Sequence, residues 1–169
     1  MKLRHVLLAA LAASVPAGCS LLPSLSPPSH LVCPKVQLAP DLDRLAVLGA
    51  NGEVLATARL GPVTSTCAEG TRSIVVKAEL NLRASQNGSA AIPQLDYFFA
   101  VSDANRTVLN EAEFGWVPDT RAGGSDTHSD KMTITIPTYD PGSGGNFDVF
   151  VGFRLSPEQL QYNRQHPNG

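Results

Sequence analysis

The sequence lacks any apolar run long enough to cross a lipid bilayer as a helix. Its longest unbroken run, residues 6–13, has eight residues, whereas a spanning helix needs roughly 20. It also lacks an excess of basic residues, because 13 lysines and arginines stand against 15 aspartates and glutamates. A basic stripe is the usual mark of proteins that bind nucleic acid or anionic lipid surfaces. The composition therefore argues against both classes of partner.

Motifs for nucleophilic catalysis are scarce. The pattern G-x-S-x-G, which marks the nucleophile turn of many serine hydrolases, does not occur. Of the four histidines, His128 alone falls in the body of the predicted domain, since His166 lies in its C-terminal tail. One interpretation pairs His128 with a neighbouring serine as catalytic groups. We favour a solvated polar loop over residues 119–130 and do not predict an enzyme.

Acidic residues do not follow the spacing of known metal sites. The cluster at residues 119–130 lacks the spaced pattern and closing glutamate of a calcium loop. The glycine-rich segment 140–148 lacks the lysine of a phosphate-binding loop. Glu111 and Glu113 share one strand face and read as solvated positions rather than a catalytic carboxylate pair. We predict no metal and no cofactor. The candidate ligands of the first cluster are Asp119, Asp126, His128 and Asp130.

The amino terminus has the composition of an export signal. Lys2 and Arg4 give a short positive region, residues 6–13 are apolar, and Ala17 and Gly18 are small. This order is typical of secretory signal peptides. The stretch Val-Pro-Ala-Gly-Cys at residues 15–19 also resembles the lipobox of bacterial lipoproteins, although Pro16 stands where that family usually has leucine or another aliphatic residue.

The resemblance to bacterial lipoproteins implies a membrane anchor at Cys19. It implies cleavage before Cys19 and a diacylglycerol on its thiol. Ser20 in place of aspartate implies the outer membrane, with the domain facing the periplasm. The alternative is an ordinary signal peptide cleaved after Ala17 or Gly18. Removal of residues 1–18 leaves 11 basic and 15 acidic residues, a net charge near −4.

The number of cysteines fits this interpretation. Three cysteines in an exported chain leave one odd thiol, and acylation of Cys19 leaves Cys33 and Cys67 as a pair. An oxidising compartment favours a structural disulfide between them. Their spacing fits neither a zinc site nor a C-x-x-C redox pair. We expect this disulfide to hold the N-terminal segment near the end of the second predicted strand.

The chain divides into three parts. Residues 1–18 form the signal peptide, and residues 19–32 form a lipidated, proline- and serine-rich tether that proline keeps extended. Residues 33–169 are long enough for one domain with a core.

The domain sequence alternates as strands do. Residues 73–85 place apolar side chains on one face and polar ones on the other, which is the pattern of a half-buried strand. Asn51-Gly52 between apolar runs predicts a hairpin with a type I′ turn. These features favour an all-β, seven-stranded antiparallel sandwich of immunoglobulin-like type. The predicted strands are 44–50, 53–60, 73–85, 94–102, 107–117, 131–137 and 147–155.

A short C-terminal helix completes the domain. Ser156, Pro157 and Gln159 form the sequence of a capping box with proline at the first helical position. We expect the helix to reach about Gln165, with Pro167 ending it.

Aromatic residues give the remaining functional signal. Phe98 and Phe150 point away from the predicted core face of their strands, either beneath a covering loop or the terminal helix, or in an exposed patch for a protein partner. We favour the cover, and place Trp116 in the core rather than in a sugar platform. The prediction for the whole chain is a non-enzymatic, lipid-anchored envelope protein acting through protein contacts. The alternative is a ligand- or glycan-binding module using Trp116, Tyr97 or the glycine-rich loops.

Overall fold

The computed structural model describes residues 30–88, 91–120 and 123–167, and within them the chain forms nine strands, a 3₁₀ helix at Pro141–Asn146 and one α-helix. No helix in these ranges is long and apolar enough to cross a membrane. Residues 1–29, which include Cys19, lie outside the described residues. The elements are β1 (Lys35–Leu38), β2 (Arg44–Leu48), β3 (Val54–Leu60), β4 (Thr64–Gly70), β5 (Ser73–Gln86), β6 (Leu95–Asp103), β7 (Val108–Trp116), β8 (Ser125–Pro137), β9 (Phe147–Phe153) and α1 (Pro157–Gln165).

The strands form two sheets packed as a sandwich. Sheet A has the order β1-β9-β6-β7, and sheet B has the order β2-β3-β5-β4 with β8 also paired to β5. The long strand β5 carries β3 and β4 in succession along one edge and β8 along the other. The predicted all-β sandwich is confirmed, whereas the predicted count of seven strands is wrong.

The alternation of β5 builds one side of the core. Its even-numbered apolar side chains are all at most 3% exposed, while Lys77 and Arg83 on the other face are exposed. β6 and β9 supply the opposing side of the core with Tyr97, Val151 and Phe153. The period-two prediction for this segment is therefore confirmed residue by residue. The buried β5 side chains are Ile74, Val76, Ala78, Leu80, Leu82 and Ala84.

Two strands lie in segments where no strand was predicted. β1 has four residues and pairs in parallel with β9, so sheet A is mixed rather than antiparallel. β4, with sequence TSTCAEG, has no buried residue. A short strand between prolines and an edge strand of small polar residues both lack the apolar alternation that identifies half-buried strands.

The largest correction concerns the polar segment before residue 131. The prediction made residues 119–130 a solvated loop, but β8 begins at Ser125 and pairs with β5 over thirteen residues. The side chains at every second position of β8 therefore point toward the interior of the sandwich, opposite buried residues of β5. These pairs are Asp126 with Ala84, His128 with Leu82, and Asp130 with Leu80. The alternation is present in the sequence, but it places polar side chains where a core strand normally has apolar ones.

The first predicted hairpin forms with a different turn. β2 and β3 pair antiparallel, and Gly52 has a φ of 81°, while Asn51 is not among the residues with positive φ. Gly52 N donates to Gly49 O, and Gly49 N donates to Glu53 O. A type I′ turn needs positive φ at both central residues, so the hairpin prediction is confirmed and the turn type is wrong.

The predicted disulfide between Cys33 and Cys67 is confirmed, with the two Cα atoms 5.7 Å apart. Cys33 precedes β1 of sheet A, and Cys67 lies in β4 of sheet B. The bond therefore joins the two sheets. It holds the N-terminal segment to β4, rather than near the end of the second predicted strand, because residues 64–70 form a strand of their own.

The predicted helix and its caps are confirmed. The Ser156 hydroxyl accepts from Gln159 N, and the Gln159 side chain accepts from Ser156 N. The helix docks on β2 through Asn163, which is 2% exposed and whose amide donates to the carbonyls of Asp41 and Arg44. Its position is therefore fixed by polar contacts with sheet B, because it offers few apolar side chains.

Candidate functional site

The side of the sandwich bounded by β7 and β8 is open. In the described residues, β7 pairs only with β6, and β8 pairs only with β5. The two strands face each other across the layers, since Trp116 of β7 stacks on His128 of β8 with ring centroids 5.6 Å apart. We call this region, Val108–Trp116 with Ser125–Pro137, the seam. It presents two strand edges that an added strand can extend.

Hydrogen bonding shows which groups of β8 face the open side. Gln86 N donates to Gly124 O, and Thr138 N donates to Arg72 O, both in the register of the β5–β8 pair. Backbone groups in an antiparallel strand alternate between its two edges. The even-numbered residues of β8 therefore bond to β5, and the odd-numbered residues from Ser125 to Thr135 direct N–H and C=O groups outward. Pro137 has no N–H, which suits the free side of an edge strand.

One half of the seam is apolar. A cavity of about 370 Å³ lies between the two strands, and a second of about 180 Å³ adjoins it. Leu109 on β7 lines the first cavity and is 53% exposed, so a large apolar side chain stands at its rim, and the neighbouring Val108 is 57% exposed. The strands that bound this half therefore offer both unpaired backbone and apolar contact. The first cavity is lined by Val101, Leu109, Asn110, Thr135, Ile136 and Pro137.

The other half of the seam is polar. The Tyr97 hydroxyl donates to Asp130 Oδ2 at 2.6 Å. Burial raises the pKa of Tyr97 above its ordinary value, and the hydrogen bond to Asp130 and the charge of Asp130 add to that rise. Asp126 accepts from Asp119 N and Thr127 N. The Tyr97 contact links β6 to β8 across the two layers, and together these contacts give Asp126 and Asp130 hydrogen-bond partners.

The described residues of the seam do not gather a metal site. Alternate residues of a strand lie about 6.6–6.8 Å apart, so Asp126, His128 and Asp130 are separated along β8. No group of three histidine, cysteine or acidic residues suited to a metal ion occurs in the described ranges. In segment 140–148, Asp140 instead caps the 3₁₀ helix by accepting from Gly142 N.

Phe98 and Phe150 lie on the outer face of sheet A under a cover. Phe98 is 9% exposed and packs with Ala39 and Ala100, while Phe150 and Leu42 are partly buried against them. The cover is the segment after β1, which agrees with the covering loop considered from the sequence and not with its alternative, the terminal helix. A broad exposed patch at these two residues is therefore not present. Trp116 is 8% exposed and belongs to the main core, as expected.

An ion-pair cluster completes this cover. The Arg154 guanidinium lies 4.8 Å from the centroid of the Phe98 ring. It pairs with Glu111, and with Glu113 at 2.6 Å. Glu111 and Glu113 are exposed, as expected, but they also pair with Arg154, which follows β9 and lies across β6 from β7. The cluster shields the face on which an aromatic patch was considered.

Sequence reasoning missed the seam for identifiable reasons. Its exposed backbone belongs to β8, whose first half reads as a polar loop, and edge pairing is a property of topology rather than composition. The usable signal was the strict alternation of residues 125–136. The lipidation candidate Cys19 falls outside the described residues.

Comparisons with known proteins are sparse. No family model matches the chain, and no curated protein matches it. Among solved structures, it is similar to the Streptococcus agalactiae AgI/II polypeptide BspA variable (V) domain, at 13% sequence identity and a TM-score of 0.21. The match covers 72% of this chain and 78% of that chain. A likeness at this level carries no argument about function.

Proposed function

We propose that the chain is a lipid-anchored, non-enzymatic protein of the bacterial cell envelope that acts as an adaptor. It is tethered through Cys19, faces the periplasm from the outer membrane, and binds an extended segment of a partner protein along the seam. The proposal includes an immunoglobulin-like type for the sandwich. The observation that carries the proposal is the pair of strand edges, β7 and β8, that have one partner each among the described residues and border the same cavities.

The disulfide supports the location. Cys33 and Cys67 form one bond that joins the two sheets, which leaves Cys19 as the odd thiol of three. Structural disulfides persist in oxidising compartments such as the periplasm. Acylation of Cys19 accounts for the remaining thiol, so the anchor and the disulfide support each other.

The chemistry of the seam supports an extended peptide as the occupant. Strand addition gives affinity through main-chain hydrogen bonds and specificity through pockets for alternate side chains. The odd-numbered residues of β8 supply the backbone groups, and the cavity beside Leu109 and Ile136 supplies a place for apolar side chains. A long unpaired edge also exposes a protein to aggregation unless it is covered, and a bound partner strand provides that cover.

The test removes one outward amide of β8. Thr133 is exposed and odd-numbered, so Thr133→Pro deletes an N–H on the free edge while Thr133→Ala keeps it. Both variants should fold, because proline is tolerated on the solvent side of edge strands. We expect Thr133→Pro to lower the recovery of the partner in mild-detergent isolation from envelopes by about tenfold, the equivalent of 1.4 kcal/mol. Thr133→Ala should recover it as the wild type does.

Equal recovery with both variants, each folded by circular dichroism, would contradict strand addition at β8. Recovery of no partner by the wild-type protein would contradict the adaptor role itself.

A further inference from the structure

The outer face of sheet B carries a row of arginines. Register aligns Arg44 of β2 with Arg59 of β3, and Arg59 with Arg83 of β5. Directly opposed residues have Cα atoms about 5 Å apart, and like charges in such pairs are destabilising. Arg44 is held by the end of the helix, where its guanidinium donates to the carbonyls of Asn163, His166 and Pro167. Among the described residues, Arg59 and Arg83 have no comparable partner.

The charge on this face is opposite to that of the whole chain. Lys77 and Lys131 lie on the same side as Arg59 and Arg83, and Glu79 is the one acid among these outward positions of β3, β5 and β8. Glu79 pairs with Lys131 at 3.6 Å. No ion pair is formed by Arg59, Arg83 or Lys77 in the described part of the chain. A chain with net charge −2 thus concentrates unpaired positive charge on one sheet face.

Hydroxyl and amide groups fill the spaces between these charges. A depression of about 550 Å³ is lined by Arg59, Arg83, Asn81 and Thr127, and a second of about 290 Å³ by Lys77, Lys131, Thr64 and Thr133. Both follow β5, along which Lys77 and Arg83 are separated by about 20 Å at 3.4 Å per residue. We call this strip, from Lys77 and Lys131 to Arg59 and Arg83, the basic strip. It has the length and direction to hold an extended chain.

We propose that the basic strip binds an anionic polysaccharide. The planar guanidinium groups match carboxylate or sulfate geometry, and the threonine, serine and asparagine side chains can both donate to and accept from sugar hydroxyls. Proteins that hold single-stranded nucleic acid stack bases on aromatic rings, whereas the outward positions of β3, β5 and β8 carry none. The composition of the strip thus favours a glycan over a nucleic acid.

This site and the seam share β8 but use different sides of it. The basic strip uses the side chains of β8 on the outer face of sheet B, while the seam uses its free backbone edge and the side that faces the other layer. The structure leaves both open together, so one domain can hold a partner strand and an acidic glycan. The inference does not depend on the proposed adaptor role.

The test measures retention of the full-length chain in non-ionic detergent by affinity electrophoresis in gels containing polygalacturonate. Neutral dextran and oligothymidylate are the comparison matrices, at about 50 mM salt, where screening is modest. Wild-type protein should be retarded by polygalacturonate and not by dextran. The double variant Arg59→Gln, Arg83→Gln should lose at least about tenfold in apparent affinity for polygalacturonate. The single variant Lys77→Gln should show a smaller loss.

A matched control separates the strip from net charge. The double variant Lys35→Gln, Arg164→Gln also removes two positive charges, but from exposed positions outside the basic strip. It should migrate as the wild type does. Stability gives a second readout, because relief of the opposed pair should leave the melting temperature of Arg83→Gln equal to or above that of the wild type at low salt.

Three outcomes would overturn the inference. They are no retardation of the wild type by polygalacturonate, equal loss in the Lys35→Gln, Arg164→Gln control, and retardation by oligothymidylate as strong as by polygalacturonate.

Discussion

Single residues set the packing at the N-terminal entry to the domain. Gly144 is buried in the 3₁₀ helix, and a Cβ added there would overlap the carbonyl of Val32. Gly145, its neighbour, is exposed and would meet only the side chain of Val32 at 3.5 Å. Val32 N also donates to Pro141 O, so the segment before Cys33 is held against this turn. The absent side chain of Gly144 is what permits that approach.

Gly144→Ala should therefore destabilise the domain strongly while Gly145→Ala should not. A methyl group against a fixed backbone carbonyl forces a backbone shift, and overpacking of this kind costs about 1–3 kcal/mol. Urea denaturation of both variants measures the difference in the free energy of unfolding. Equal free energies for the two variants would show that the entry segment is not packed against this turn.

Tyr97 links stability to pH. Burial raises its pKa above the ordinary value, so the folded state holds the phenolic proton more tightly than the unfolded state does. The contribution to stability is complete below about pH 10, the ordinary tyrosine value, and it is lost as pH rises from there through the folded pKa.

We expect the melting temperature of the wild-type protein to fall more steeply above about pH 10 than that of Tyr97→Phe. At neutral pH the variant should be less stable by about 0.5–1.5 kcal/mol, because the hydrogen bond to Asp130 is lost. Parallel pH profiles for the two proteins would contradict the burial of a protonated phenol at this position.

Elements differ in how well the sequence predicts them. β5 and α1 are readable because strict alternation and a capping box are local signals, and both are observed. β4 and the first half of β8 are not, since their side chains are small or polar and their pairing depends on β5, which lies elsewhere in the chain. The cover over Phe98 by Ala39, Leu42 and Arg154 is also non-local, and composition holds no trace of it.

The disulfide acts at the level of elements, because it joins the segment before β1 to β4 across the two sheets. Replacing Cys33 and Cys67 by serine should lower the free energy of unfolding by about 3–4 kcal/mol, the loop-closure value for a separation of 34 residues. Guanidinium denaturation measures this loss in the free energy of unfolding, with Cys19→Ser as the matched control. A similar loss in Cys19→Ser would mean that Cys19 takes part in the folded domain.

At the scale of the whole molecule, the proposed anchor, seam and basic strip would act together in one domain. A tether of residues 19–32 would hold the domain near the membrane, where the seam and the basic strip point to different sides. The domain itself is predicted from its alternating sequence, whereas its surfaces follow from strand order, which places β7 and β8 at sheet edges and the arginines in one row.

The anchor predicts a simple change in fractionation. Cys19→Ser should move the protein from the membrane fraction to the soluble fraction, with the Cys33–Cys67 disulfide intact by mobility on a non-reducing gel. The physical reason is that the leader is too short to remain as a spanning helix, so the acyl chains supply the attachment. Retention of the variant in the membrane fraction would contradict a lipid tether.

The most direct test of the adaptor role is site-specific photo-crosslinking in intact cells. A photoreactive residue is placed at Leu109 or Thr133, on either side of the seam, and at Glu53 in the β2–β3 hairpin as control. We predict one adduct of the same mass at Leu109 and Thr133, and none at Glu53. No adduct at the seam, or equal adducts at all three positions, would contradict the binding of a partner strand between β7 and β8.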